Sequence, residues 1–308
     1  MRIVVTGAYG FIGSHLVERL LTDGHKVIAF DDMSNGNVAN LKNVAGHMGF
    51  FPHRLDISSQ ELRPIVEGTD AFIHLAAITG ETQCHNQPME STLVNVNGTV
   101  NVLGTCVAAK VKKFVFVSSA AVYGKQDSLP MVESMALNPT SIYGATKAAG
   151  EMYVKSFTKA YGLDAVCIRF ANLYGPRRNP AYPVAVMNFA RALLDGGRIT
   201  IFGSGEQSRN FTHVSDAVEG IVLAMAKGRS GEAYNIAARE RTTINRLAEI
   251  FVGLAEGKKP EVVHTDARVG DRDAFVAISK AREELGFEPK VTLEQGLPEF
   301  INWVRENS

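Results

Sequence analysis

Tyr143 and Lys147 stand four residues apart in the run Ser-Ile-Tyr-Gly-Ala-Thr-Lys, a spacing that a helix turns onto one face. An ammonium held beside a phenol favours the ionised phenol. Alone, the pair is a common accident of helical sequence. It gains chemical meaning from Gly7-Ala8-Tyr9-Gly10-Phe11-Ile12-Gly13 near the other end of the chain. Together they imply nicotinamide-dependent chemistry at a hydroxyl-bearing carbon. A tyrosine ionises near 10, and each unit of depression requires ~1.4 kcal/mol of differential interaction. Lys147 and a positive nicotinamide ring would supply it in a site that excludes water, leaving Tyr143 to take the proton of the reacting hydroxyl. Ser119, after the apolar run Phe114-Val115-Phe116-Val117, either hydrogen-bonds the same hydroxyl or merely punctuates a strand end.

These residues need a scaffold, and the chain alternates short apolar runs with helix-length segments. The runs are Ile3-Val4-Val5, Val27-Ile28-Ala29-Phe30, Ala71-Phe72-Ile73, Phe114–Val117 and Ala165-Val166-Cys167-Ile168. Continuous apolarity marks strands covered on both faces. Residues 11–22 and 90–109 read as crossover helices. The fold expected is α/β, a Rossmann-type doubly wound parallel sheet with a smaller, interleaved α/β substrate domain. Residues 1–168 would form the NAD-binding domain, with 212–236 returning to it through the strand-like run at 232–236. Residues 169–211 and 237–308 would cover the substrate.

Gly7, Gly10 and Gly13 fall at a strand-to-helix turn, where glycine lets the backbone approach a pyrophosphate at a helix N-terminus. A Gly-rich turn without a ligand accounts for the glycines equally well. Asp31 decides for the ligand. It ends the second strand eighteen residues beyond Gly13, where a carboxylate accepts hydrogen bonds from a ribose and repels a 2′-phosphate. NAD is therefore expected rather than NADP. Asp56-Ile57 either flanks the adenine or belongs to a solvated loop.

With 308 residues, 32 basic and 32 acidic, the chain shows no footprint for nucleic acid or for a membrane surface, so small molecules are the expected partners. The N-terminal residues run directly into the Gly loop without a signal-peptide pattern. The three cysteines, Cys84, Cys106 and Cys167, have no CxxC spacing. Both point to the cytoplasm. The eight histidines show no metal-ligand spacing, so no metal is expected.

The chain resembles the extended short-chain dehydrogenases/reductases, in particular their nucleotide-sugar epimerase and dehydratase branch. The resemblance runs nearly end to end: GAYGFIGSHLVERLL (7–21), DDMSNG (31–36), HLAA (74–77), NVNGTVNVL (95–103), SSAAVYG (118–124), YGATK (143–147), RFANLYGPR (169–177), IFGSGEQSRNFTHVSDAVEG (201–220) and RVGD (268–271). It implies that Ser119, Tyr143 and Lys147 are catalytic. It implies NAD contacts from Phe11, Ile12, Asn35, Asp56, Ile57, Leu75, Ala76, Ala77 and Asn95 besides the glycines, Asp31, Tyr143 and Lys147. Asn172, Phe202, Arg209 and Arg268 match positions that hold a nucleotide diphosphate, most commonly of a UDP-sugar. Relatives that dehydrate or decarboxylate carry acidic residues after the strand-end hydroxyl, where this chain has Ala120-Ala121. The resemblance therefore favours inversion at C4 of a UDP-hexose through a transient 4-keto sugar, with a homodimer formed through the 90–109 and 145–160 helices. Other 4-keto chemistry, or a non-catalytic NAD-binding regulator, are the alternatives. The loop at 78–87 departs from the family pattern. Glu81 would contact the sugar, and Cys84 and His85 would form an acid/base pair, unless the loop is simply solvated.

Overall fold

The structure, a computed structural model, describes residues 1–182, 184–257, 259–267 and 273–307. From the N-terminus come β1 (Arg2–Thr6), α1 (Phe11–Thr22), β2 (Lys26–Asp31), β3 (Phe50–Arg54), α2 (Leu62–Val66) and β4 (Ala71–His74). Two short helices, α3 (Glu81–Asn86) and α4 (Pro88–Thr92), lead through a π-helical segment at Leu93–Gly98 into α5 (Thr99–Ala108). After β5 (Lys113–Ser119) and a 3-10 turn at Ala120–Tyr123 come α6 (Ile142–Tyr161) and β6 (Ala165–Phe170). Next are β7 (Leu173–Tyr174), α7 (Ala185–Leu194), β8 (Arg198–Phe202), β9 (Ser208–Arg209), β10 (Thr212–His213), α8 (Val214–Lys227) and β11 (Ala233–Ile236). The chain closes with β12 (Thr242–Thr243), α9 (Ile244–Gly253), β13 (Glu261–Thr265), α10 (Ser279–Leu285) and α11 (Leu293–Asn307).

Seven strands form one parallel sheet in the order β11-β6-β5-β4-β1-β2-β3. Strand pleating sends alternate residues to opposite faces, and both faces are apolar. Ile3, Val5, Val27, Ala29, Val115 and Val117 meet α1 and α8 on one side. Val4, Ile28, Phe30, Phe72, Phe114 and Phe116 meet α2, α5 and α6 on the other. This two-sided burial is the reason the strands read as unbroken apolar runs. A third core joins α7, β8, α9 and α11 through Met187, Phe189, Ile201, Leu247, Phe251 and Phe300. Residues of α10, Ala281 and Leu285, pack instead with the first core, beside β11.

A doubly wound sheet leaves a crevice at the carboxyl ends of its strands where the order reverses, here between β1 and β4. Gly7, Leu75 and Ser119 follow or end β1, β4 and β5 at that edge. Beneath it a buried network clamps the elements together. Glu151 of α6 meets Arg169 of β6 at 2.6 Å and accepts a hydrogen bond from Ser118 at 2.6 Å. Arg169 also donates to the Tyr123 hydroxyl at 2.8 Å, which donates to Asn235 of β11 at 2.7 Å. Each charge in this dry layer has its partner, the condition on which buried ions are tolerated.

Candidate active site

Tyr143 and Lys147 lie in the first turns of α6. Ser141 caps that helix, its hydroxyl accepting from Gly144 N at 3.1 Å, as expected of a serine at this position. The helix start is pressed against the 3-10 turn: a Cβ on Gly144 would lie 2.6 Å from Ala121 O. Only glycine permits this approach, which brings the start of α6 and the Tyr143 phenol beside Ser119, a neighbour that opposes the rise in the phenol's pKa. Lys147 is buried, its Nζ donating to Val117 O at 2.9 Å and lying 6.0 Å from the centre of the Tyr143 ring. Burial lowers Lys147 from 10.5 to about 8. Burial also raises Tyr143 above its ordinary value, and Ser119 and Arg178 only partly oppose it. The chain's own groups therefore do not depress the phenol, because the ammonium is turned to a carbonyl and the ring is desolvated.

The cofactor cradle is built by backbone. Gly7 adopts φ 65°, and a Cβ there would lie 3.0 Å from Ala76 N. A Cβ on Gly13 would collide with Gly7 O. No side chain caps α1, whose first residues are Phe11, Ile12 and Gly13, so its N-terminal amides are directed at the crevice. Asp31 is buried at the end of β2 and accepts from Tyr9 N and Met33 N, both at 2.9 Å. Burial raises its pKa despite those bonds. An uncapped helix start beside a glycine turn, with a carboxylate at the next strand end, fits a dinucleotide: amides for the pyrophosphate, Asp31 for the ribose.

The loop after β4 is held by groups the sequence did not single out. Thr6 Oγ1 accepts from Leu75 N and Ala76 N, each at 3.1 Å, and so donates its proton to His74 Nδ1 at 2.8 Å. Thr99 Oγ1 donates to Asn95 O and accepts from His74 Nε2 at 3.0 Å. His74 is thereby fixed as the neutral Nε2–H tautomer, and burial pulls its pKa down to about 3. The buried Asn95 side chain holds both backbone groups of Ile78, at 2.7 and 2.9 Å, and reaches Thr146 at 3.1 Å. Its part is to position the loop that carries Leu75, Ala76 and Ala77. Ile57 sends its side chain into the second core and its carbonyl to Asn101. Asn35 and Asp56 are exposed, and Asp56 accepts from Ser58 N at 2.7 Å.

On the substrate side Asn172 is exposed just beyond β6 in a left-handed conformation, φ 30°. Phe202 ends β8, its carbonyl accepting from Gln207 at 2.8 Å, and Arg209 lies on β9. Arg268 falls outside the described residues. Glu81 is exposed in the first turn of α3, one residue after Gly80 at φ 91°. Cys84 and His85 face opposite ways: the thiol is buried and donates to Ile78 O at 3.5 Å, while the imidazole is exposed. They form no acid/base pair. Two further residues line this end. Tyr182 donates to Thr79 at 2.9 Å, and Arg178 lies between the rings of Phe11 and Tyr182. Their only sequence signal is a second arginine and an aromatic shortly after the Gly-Pro turn at 175–176.

Residues 3–237 match the NAD dependent epimerase/dehydratase family. A UDP-glucose 4-epimerase of Mycolicibacterium smegmatis is 36% identical over 100% of both chains. Among solved structures, a UDP-glucose 4-epimerase with UDP-glucose from Thermotoga maritima superposes with a TM-score of 0.92 at 35% identity, covering 100% of this chain and 99% of that one. A dTDP-glucose 4,6-dehydratase from Streptomyces venezuelae with NAD bound is 34% identical, with a TM-score of 0.90 and coverage of 100% and 98%.

Proposed function

The chain belongs to the NAD dependent epimerase/dehydratase family, and on that premise we propose that it inverts C4 of a UDP-hexose, interconverting sugars related as UDP-glucose is to UDP-galactose. The observation that carries this reading is the pairing of the Tyr143–Ser119 corner with Ala120 and Ala121. The corner offers one proton acceptor and one hydrogen-bond donor. The two positions after Ser119 bring no carboxyl group, and the nearby buried carboxylate of Glu151 is committed to Arg169. Proton removal at C5 and loss of the C6 hydroxyl would need a further acid or base, whereas inversion at C4 needs only Tyr143.

NAD, when bound, supplies a hydride acceptor that later returns the hydride to the same carbon. Tyr143 accepts the C4 hydroxyl proton as the ketone forms and gives it back after the sugar has turned about its diphosphate tether. Ser119 orients that hydroxyl. Lys147, anchored by Val117 O, holds the nicotinamide ribose and so positions the positive nicotinamide charge that favours the ionised phenol. Asn172, Phe202, Arg209 and Arg268 hold the diphosphate, arginine being suited to bidentate contact with phosphate, and Glu81 contacts the sugar. The three cysteines are unpaired thiols, which supports a reducing cytoplasm. Among the described residues no helix is long and apolar enough to cross a membrane.

The test is incubation with UDP-glucose, UDP-N-acetylglucosamine, UDP-glucuronate, dTDP-glucose and GDP-mannose in heavy water, read by NMR. Inversion at C4 without deuterium uptake is expected. Deuterium at C3 or C5, or a 6-deoxy product, would sink the reading.

A further inference from the structure

Two of the shielded arginines around the site carry their counter-ions: Arg169 meets Glu151 at 2.6 Å and Arg177 meets Glu18 at 2.8 Å. Arg178 meets no carboxylate among the described residues. Its Nη1 donates to Leu173 O at 2.8 Å, while its Nε is fully buried without an acceptor. The guanidinium lies over the Phe11 ring at 5.3 Å and the Tyr182 ring at 5.4 Å. Those rings fix its plane but accept little of its charge. Desolvation lowers its pKa, yet an arginine keeps its proton in proteins. A buried cation of this kind is costly unless an anion reaches it.

The position of Arg178 narrows which anion that is. Phe11 opens α1 on the cofactor side, and the Tyr182 hydroxyl bonds to Thr79, next to Gly80, where any Cβ would strike Tyr182. Through Tyr182 and Thr79 the guanidinium sits against the loop after β4, at the carboxyl-end crevice of the sheet. Under the nucleotide-sugar reading, on which this step rests, the two diphosphates already have receptors: the α1 N-terminus for the cofactor, and Asn172, Phe202 and Arg209 for the substrate. The anion left for Arg178 is on the sugar.

We propose that Arg178 is the receptor for a carboxylate carried by the sugar, so that the C4 inversion proposed above stands while its substrate is a UDP-hexuronate in place of the neutral UDP-glucose and UDP-galactose pair. The planar fork accepts a carboxylate through two parallel hydrogen bonds, and the aromatic sandwich holds it ready before the ligand arrives.

Titration calorimetry of the NAD-loaded protein with UDP-glucuronate, UDP-glucose and UDP tests this in wild type, Arg178→Gln and Arg178→Lys. Wild type should prefer UDP-glucuronate to UDP-glucose by about tenfold or more, the range of a charge-assisted hydrogen bond. The Gln variant should lose that preference and the Lys variant should recover part of it. Three results overturn the proposal: no preference in wild type, equal weakening of all three ligands by the Gln variant, or loss of NAD with the preference intact. NMR on the same samples reads C4 inversion separately. Preference without inversion fails the epimerase reading alone, and inversion without preference fails the Arg178 assignment alone.

Discussion

Lys147 loses basicity by sitting where it does, and the direction of that loss can be measured. Burial brings it from 10.5 to about 8. Between those values the unfolded chain holds a proton that the folded chain has released, so the unfolded state binds more protons and stability rises with pH. Below about 8 both states are protonated and the burial cost is paid in full. The span corresponds to roughly 3 kcal/mol. Lys147→Met has no such group. In urea unfolding of the cofactor-stripped chain, wild type should gain on the variant by an amount of that order from pH 7 to pH 10. A constant difference would show that Lys147 is not desolvated. Such a site draws on the bound cofactor's positive charge to ionise Tyr143, because burial raises the phenol and Lys147 does not contact it. At this scale the places of Tyr143 and Lys147 at the start of α6, of Ser119 at the end of β5 and of Asp31 at the end of β2 were legible, because each sits at a fixed offset in a motif. The setting of Arg178 was not, because it lies in what surrounds the side chain in space: two aromatic rings and, among the described residues, no carboxylate.

The start of α6 carries both Tyr143 and Lys147, so its seating on β5 sets the site's geometry. Gly150, two turns further along, packs against Phe116, and a Cβ there would run into the tip of the ring. Phe116 is 1% exposed and lies 5.1 Å below Lys147 Nζ. It has nowhere to yield without moving the lysine. Gly150→Ala should therefore cost about 1–3 kcal/mol, as overpacking does, although alanine favours helix more than glycine. It should also lower kcat more than it changes KM, since the helix must lift from the sheet. Chemical denaturation and steady-state kinetics check both, and a stabilised variant with normal kcat would refute the account. The elements legible in advance were β1, β2, β4, β5 and β6 as apolar runs under two-sided burial, β11 in the run at 232–236, and the crossover helices at 11–22 and 90–109. β3 carries Pro52, is half exposed and sits at the sheet edge, so the strand-like run before Asp56 was not a continuous apolar one. In β8 the buried residues alternate with exposed ones along Arg198–Phe202, a pattern too short to stand out among glycines and prolines. The π-helical segment at Leu93–Gly98 had no sequence signal, although it carries Asn95 toward the β4 loop.

For the whole molecule, the outer surface of α4, the π-helical segment and α6 is the feature the sheet does not explain. Val102, Leu103, Cys106 and Val154 point inward to the second core. Met89, Leu93, Met152 and Tyr153 point outward, at 73%, 55%, 55% and 41% exposure. A helix pair apolar on both sides has a second surface to cover, and sequence periodicity could not separate the two, because inward and outward residues alternate within the same turns. The helices pack against one another, so the four side chains fall on neighbouring elements. Methionine and tyrosine are enriched in subunit interfaces, and exposed apolar side chains on adjoining elements are the pattern of an association site. A two-fold axis would set it against its own copy, the commonest closed arrangement. The chain should therefore sediment as a dimer in analytical ultracentrifugation. Leu93→Asp with Met152→Asp should convert it to a monomer, because four carboxylates would then be buried without partners. The Rossmann core lies on the opposite side of these helices, so the monomer should keep its circular dichroism and NAD affinity. A wild-type monomer would refute the interface, and a dimer that survives both substitutions would place it elsewhere on the surface.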